Sequence, residues 1–387
     1  MTLKPTPLAA ASAIQWPDGM DEQYFLDNYW QEKPLLIRQA LPEFSTPLPA
    51  DELAGLSLEP EANSRIITRD NDGQYKLEHG PFDEDRFSTL TDNQWSLLVS
   101  DVEKLIPEFA IYMQPFRFIP DWRIDDLMIS YAPDGASVGA HVDEYDVFLL
   151  QGSGVRRWSI DARADTNHQL MNNGDLKILS NFQATDSWEL QAGDMLYLPP
   201  GMAHHGVAVG EDCTTWSIGF RAPYLPEFVA HLAELISEQM TPARYRDGRL
   251  TPAQQGEISK TSIQRFKAIW EEFTQLDDSE FARLLGCWLT ESSVMAPPAD
   301  NDPAQLAQAD KAMTLTVAKS PYCRFAWVEQ QGETALLFYN GAALPCSTEF
   351  ATTICSQMSM TLVLSDLNAS DEIALQKLLD TGCLVSE

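Results

Sequence analysis

His141-Val142-Asp143, followed about sixty residues later by Pro199-Pro200-Gly201-Met202-Ala203-His204, decides how this chain is read. Residues two apart in a strand share a face, so His141 and Asp143 both point into a barrel, and Tyr145 continues along that face while the strand stays regular. A Gly193-Asp194 turn, a strand from Met195 to Leu198 and a rigid Pro-Pro-Gly corner then return the chain to the barrel mouth, opposite the first pair. Two imidazoles and one carboxylate on facing strands form the facial triad that holds ferrous iron with positions open for oxygen chemistry. One His-x-Asp alone is a weak signal, because an isolated strand histidine is more often a hydrogen-bonded structural residue; the second element raises it. His204 and His205 face opposite sides of a strand, so one chelate uses only one of them, and His204 is the choice. His79, His168 and His231 fall in a hairpin, a loop and a helix and receive no metal role.

The surroundings favour β structure. From Asp126 to Phe220 short apolar segments recur between Gly and Pro turns: 127–131, 146–151, 156–160, 176–179, 188–191, 195–198, 205–209 and 214–220. Eight short strands so spaced predict a jelly roll, or cupin barrel. Upstream, helical periodicity predicts helices over 21–30, 51–58 and 95–113, a strand at 34–38 and a hairpin of 64–68 with 74–78. Beyond Pro223 the pattern turns helical at 225–240, 262–275 and 279–291, with apolar stripes (Phe228, Leu232, Leu235, Ile236; Phe266, Ile269, Trp270, Phe273) fit for core packing or for pairing with a second copy. Ala296 to Asp300 reads as a linker. A strand pair at 324–329 and 335–339, with helices at 348–357 and 371–379, suggests a winged-helix-like module.

Charge limits what that module binds. The chain has 387 residues, enough for two or three domains, and a formal charge of −31, a field that repels phosphate backbones and attracts basic proteins, although solubility alone accounts for it equally well. From Ala296 onward four cations face eleven acids, which argues against direct nucleic-acid binding. Six scattered cysteines show neither CxxC nor zinc-finger spacing, so a reduced, cytoplasmic setting is expected. Pro7 to Ile14 is read as a loose leader, and no run reaches the length of a bilayer span.

The motifs together resemble the JmjC-type, 2-oxoglutarate-dependent ribosomal oxygenases of the cupin superfamily, most of all the bacterial ribosomal-protein arginine hydroxylases. The resemblance is carried by Trp30-Gln31-Glu32-Lys33-Pro34-Leu35-Leu36-Ile37-Arg38, the run from Asp121 to Ser130, His141 to Phe148, Gly154-Val155-Arg156-Arg157-Trp158, Leu198-Pro199-Pro200-Gly201 and Ser217 to Pro223. It covers most of the first 225 residues and, more loosely, the tail. It implies a β jelly roll (double-stranded β-helix) over 1–223, a helical dimerisation segment over 224–295 and a winged-helix-like domain over 296–387. It also implies Fe(II), with 2-oxoglutarate and O2 as cosubstrates, a homodimer, and hydroxylation of an arginine on a basic large-subunit ribosomal protein. His141, Asp143 and His204 would bind iron, and Arg156 would anchor the distal carboxylate of 2-oxoglutarate.

Physical chemistry supports these roles and keeps rivals open. A guanidinium meets a carboxylate as a two-donor fork, and alternation allows only one of Arg156 and Arg157 to point inward, leaving the other to a surface ion pair. Asp126, Met128 and Ser130 share a strand face. Ser130 is expected to help bind 2-oxoglutarate, and Asp126 to receive the cationic side chain, with Met128 and Tyr145 as walls and Ser217 as a weaker contact. Against this, Asp126 could simply end its strand, and Met128 is more often core. The alternatives are a hydroxylase acting on histidine or asparagine, a transcription regulator with a ligand-sensing cupin, and a cupin that only binds protein.

Overall fold

Asp146–Asp161 and Ala203–Phe220 run side by side as antiparallel strands and organise the first part of the chain. The computed structural model describes residues 13–90, 93–163, 167–171, 176–247, 256–292 and 314–386. They fall into two units, Met1–Ala222 and Pro223–Glu387. The leader stretch, except its last two residues, and the linker at 296–300 lie outside the described residues.

In the first unit, helices α1 (Glu22–Asn28), α2 (Ala50–Leu56), α3 (Glu84–Ser88) and α4 (Val102–Leu105) accompany ten strands. These are β1 (Leu35–Ile37), β2 (Asn63–Arg69), β3 (Tyr75–His79), β4 (Trp95–Ser100) and β5 (Ile124–Ala132). They continue as β6 (His141–Val142), β7 (Asp146–Asp161), β8 (Asp186–Gln191), β9 (Met195–Leu198) and β10 (Ala203–Phe220). All ten join one antiparallel sheet in the order β1-β9-β7-β10-β5-β4-β2-β3, with β6 paired to β10 and β8 to β7. This large antiparallel sheet is consistent with the expected jelly roll.

Four expected segments merge, two by two, into two strands. The pieces 146–151 and 156–160 are both β7, and 205–209 and 214–220 are both β10. The bend between the halves lies at Gly154, whose φ is +60° and where an added Cβ would stand 2.7 Å from the Asp212 carbonyl oxygen. Only glycine meets both conditions there, so a turn residue marks a bend inside a strand rather than its end.

Two other expectations are corrected. The helix expected over 95–113 is instead β4, the short α4 and a 3-10 helix, Pro107–Phe116. Trp95–Ser100 is a central strand buried on both faces, so its apolar run does not alternate and mimics a helix; Asp101, at φ +59°, ends it. Leu176 to Leu179 contributes only a single bridge, Leu170 to Leu179, and no named strand.

Strand alternation divides the side chains of β5, β7 and β10. Leu127, Ile129, Phe148, Leu150, Trp216 and Ile218 pack with Phe25, Phe109 and Phe116 in the main core. Each such ring or aliphatic group stabilises the fold by about 1.5–3 kcal/mol on burial. Val147, Leu149, Trp158, Ile160 and Leu198 form a second cluster on the opposite face. Asp146, with no exposure, accepts hydrogen bonds from Gln31 Nε2 (3.0 Å), Arg123 Nη2 (3.0 Å) and Tyr197 Oη (2.6 Å). Gln31, from the quoted Trp30-to-Arg38 run, therefore serves the scaffold, since a buried carboxylate needs this full set of donors.

The second unit contains α5 (Leu225–Gln239), α6 (Lys260–Thr274) and α7 (Asp278–Thr290), close to the expected bounds. Asp277 and Glu280 form a capping box at the start of α7. Strands β11 (Thr314–Lys319), β12 (Phe325–Glu329), β13 (Thr334–Tyr339) and β14 (Ala342–Ser347) follow, then α8 (Thr348–Ser356), β15 (Ser359–Val363), α9 (Ala369–Asp380) and β16 (Leu384–Ser386). They make two three-stranded sheets, β15-β11-β16 and β12-β13-β14. The expected β12–β13 pair and both helices are present, whereas β11, β14, β15 and β16 were not anticipated. Helix α7 packs on the second sheet, its Gly286 lying so close that a Cβ would meet the Phe338 ring at 2.4 Å. Among the described residues no helix is long and apolar enough to cross a membrane.

Candidate metal and cosubstrate site

His141 and His204 sit opposite each other in the β6–β10 ladder, with ring centroids 4.2 Å apart. Gly201, at φ +81°, makes the corner before β10 and donates its N–H to the Asp143 carbonyl (2.8 Å), tying the Pro-Pro-Gly turn to the end of the His-x-Asp stretch. Asp143 Oδ2 lies 3.9 Å from His141 Nε2 and 3.6 Å from His204 Nε2. One ligand atom from each of the three residues falls within 4.8 Å of the others, the separation a single metal ion can bridge.

The tautomers follow from the backbone. His141 Nδ1–H donates to the Gly139 carbonyl and His204 Nδ1–H to the Met202 carbonyl, both at 2.9 Å. A carbonyl only accepts, so each ring carries its proton on Nδ1 and presents the Nε2 lone pair to the centre. Burial, and next the neighbouring His141, hold the His204 imidazole below its usual pKa, which keeps that lone pair free at neutral pH. His205 faces away from this cluster, its ring edge-on to Phe182 at 5.9 Å. The structure thus separates the two adjacent histidines.

Arg156 is 3% exposed, on the buried side of β7 that it shares with Trp158. Its Nε approaches Cys213 Sγ (3.4 Å), while its buried Nη2 has no partner within the described protein. Such a donor costs stability unless something pairs with it, and a carboxylate is its natural acceptor. Arg157 points outward and pairs with Glu189 at 2.7 Å, as alternation requires. Trp158, two residues from Arg156, stacks under its guanidinium at 5.7 Å and lies 5.7 Å from the His204 ring. The sequence reading gave Trp158 no role, although the period-two spacing from Arg156 already placed it on this face.

Ser130 and Ser217 are each 5% exposed and belong to the same strand layer: Met128 is the cross-strand partner of Ser217, and Ser130 of Thr215. Asp126 lies along that face, with its Oδ1 3.1 Å from where a Cβ on Gly219 would stand. Its Oδ2 accepts the Asp101 N–H at 3.4 Å. Burial, with Asp125 and Asp101 adding, pushes its carboxyl up to about 7. Tyr145 is not held by a strand, because pairing ends at Val142; it is 41% exposed beyond the triad. The sequence reading also missed Glu103, whose Oε2 accepts the Leu127 N–H (3.0 Å) where the β4 ladder has stopped. No sequence pattern signals that contact, since it depends on the turn at Asp101.

Residues 112–228 match the family model for the JmjC domain. The chain is 39% identical over 232 residues to the ribosomal protein uL16 3-hydroxylase of Escherichia coli, covering 60% of this chain and 59% of that one. It is 37% identical over 225 residues to a probable ribosomal oxygenase of Haemophilus influenzae, covering 57% and 55%. These matches therefore span less than two thirds of the relatives' lengths. The crystal structure of Escherichia coli ycfD superposes with a TM-score of 0.83 at 28% identity, over 97% of this chain and 100% of that one. A structure of the same ribosomal oxygenase with cobalt and 2-oxoglutarate gives a TM-score of 0.79.

Proposed function

We propose, from the premise that this chain carries a JmjC domain and is similar along nearly its whole length to ribosomal oxygenases, that it is an Fe(II)- and 2-oxoglutarate-dependent protein hydroxylase acting on ribosomal protein uL16. The observation that carries this is the convergence of His141, Asp143 and His204 beside a buried guanidinium with an unpaired donor. The donor set fits the groups: nitrogen and oxygen ligands suit iron, and the free Nη2 of Arg156 suits the distal carboxylate of 2-oxoglutarate. When bound, iron and 2-oxoglutarate supply the activation of O2.

The chain's own residues hold and orient the reactants. His141 and His204 offer Nε2, each ring held by a backbone carbonyl, and Asp143, whose own carbonyl is tied to the Gly201 N–H, offers Oδ2. Arg156 grips the cosubstrate with help from Ser130, and Trp158 shields both the guanidinium and His204 from water. An arginine of the substrate enters along Asp126, with Met128 and Tyr145 as walls and Ser217 as a further polar contact. The ionised Asp126 recognises the cation by charge and by hydrogen bonding.

The helices of the second unit are read as a homodimer surface. Trp270 is 63% exposed and Phe266 55%, and exposed large apolar side chains grouped on one helix favour a partner surface. Residues 296–387 are read as a winged-helix-like, protein-contacting module, and the setting as cytoplasmic.

The test is intact-mass spectrometry of ribosomal proteins, uL16 among them, incubated with the protein, Fe(II), ascorbate and 2-oxoglutarate. A gain of one oxygen mass is expected with the native protein and none with His141→Ala. No gain on any basic ribosomal protein would overturn the substrate assignment.

A further inference from the structure

We propose that Arg65 is a peptide-docking residue whose guanidinium donates hydrogen bonds to a main-chain carbonyl of the protein substrate, next to the side chain held at Asp126. The proposal rests on the reading of the Asp126 face given above and adds to it a contact with the substrate backbone.

Register places Arg65 on that face. It lies opposite Leu98 in the β2–β4 ladder, and Leu98 lies opposite Ser130 in the β4–β5 ladder. Directly opposed residues point to the same side of a sheet, so Arg65 shares a side with Ser130, Met128 and Asp126. The side chain reaches over Met128, with Nη2 3.5 Å from its sulfur and 3.3 Å from Ser100 Oγ.

What Arg65 lacks is a strong acceptor. A thioether accepts weakly and the hydroxyl contact is long, while the Nε of Arg65 is buried with no partner in the protein. Arginines that serve the scaffold here are spent differently: Arg123 pairs with Asp146 at 3.0 Å, Arg117 with Asp121 at 2.6 Å and Arg163 with Asp161 at 2.5 Å. A guanidinium cannot shed its charge, so an underused one beside a substrate path calls for an acceptor brought by a ligand.

A peptide that directs a cationic side chain to Asp126 necessarily carries main-chain carbonyls on either side of it. One such oxygen can take the Nε–H and a neighbouring Nη–H of a single guanidinium. An acidic side chain is the poorer guest, because the protein carries a formal charge of −31. The face then reads two features at once: a cation at Asp126 and an extended backbone at Arg65.

The experiment uses the full chain with Arg65→Met and Arg65→Lys and a synthetic uL16 peptide. Peptide affinity is measured by calorimetry on metal-free protein and as KM in turnover. The expected result for R65M is about a tenfold weaker peptide Kd and KM, as for one lost charge-assisted hydrogen bond, with KM for 2-oxoglutarate and the thermal midpoint held. R65K keeps the charge but lacks the Nε–H and is expected to stay well short of native affinity. Native-like peptide affinity in R65M or full rescue in R65K would overturn the proposal, as would a fall in thermal midpoint with parallel loss of 2-oxoglutarate binding. If the native protein binds and hydroxylates no uL16 peptide, it is the underlying function that fails, which the native control reveals separately.

Discussion

Glu103 is 4% exposed and still carries an ionisable group, with consequences for stability against pH. Burial, followed by the charge of Asp126, pushes its carboxyl up to about 8. The folded protein thus keeps that proton up to about pH 8, whereas an unfolded chain releases it near the ordinary glutamate value. Between those limits the folded state binds more protons, so this group's contribution to stability falls as pH rises. Glu103→Gln keeps an oxygen for the Leu127 N–H and never ionises. It should raise the thermal midpoint by several degrees at pH 9 and change little at pH 5 in calorimetry; an equal effect at both would refute the buried-carboxyl account. Asp126 has the same sign: with its carboxyl at about 7, the charged form proposed to receive a cation accumulates only as pH rises through that value. Accordingly kcat/KM for a basic peptide should climb between pH 6 and 8, and Asp126→Ala should abolish that climb while 2-oxoglutarate turnover without peptide persists. If Arg156 holds 2-oxoglutarate as proposed, its fork geometry matters more than its charge. Arg156→Lys should raise KM for 2-oxoglutarate about tenfold or more, because an ammonium replaces a two-donor fork.

At the scale of elements, β7 and β10 align the site because one ladder brings together Arg156, Trp158, Gly206 and His204. Gly206 faces Trp158 across that ladder, and a Cβ there would stand 2.6 Å from the indole. Gly206→Ala touches neither the triad nor Arg156, yet it must displace the ring that contacts both. Metal affinity and 2-oxoglutarate affinity should therefore weaken together, each by about tenfold, the range expected of overpacking by one methyl. Calorimetric titrations with Co(II) and with 2-oxoglutarate would measure this, and a loss in only one of them would argue against the shared role of Trp158. The elements also show why sequence patterns mislead. Trp95–Ser100 reads as helix because a strand buried on both faces loses its alternation, and β7 and β10 read as fragments because the turn residues at their bends lie inside continuous strands.

For the molecule as a whole, charge and exposed apolar surface are the properties that reach furthest. A formal charge of −31 should draw a basic substrate and be screened by salt, so KM for a uL16 peptide should rise steadily between low and 0.5 M ionic strength. The proposed dimer surface on α6 predicts that Trp270→Glu, which places a charge on that exposed apolar face, shifts sedimentation from dimer to monomer. The local arithmetic of the sequence was enough to pair His141 with Asp143, to bring one of His204 and His205 back to them, to turn one of Arg156 and Arg157 inward, and to put Asp126, Met128 and Ser130 on one face. Each follows from the two-residue period of a strand or from the rigid Pro-Pro-Gly corner, and none needs knowledge of distant neighbours. Only the tertiary structure separated His204 from His205 by contact, exposed the unpaired donors of Arg156 and Arg65, and set Glu103 under Leu127. Those features depend on which strands lie side by side and where each ladder stops, relations between residues far apart in the chain that no single stretch encodes.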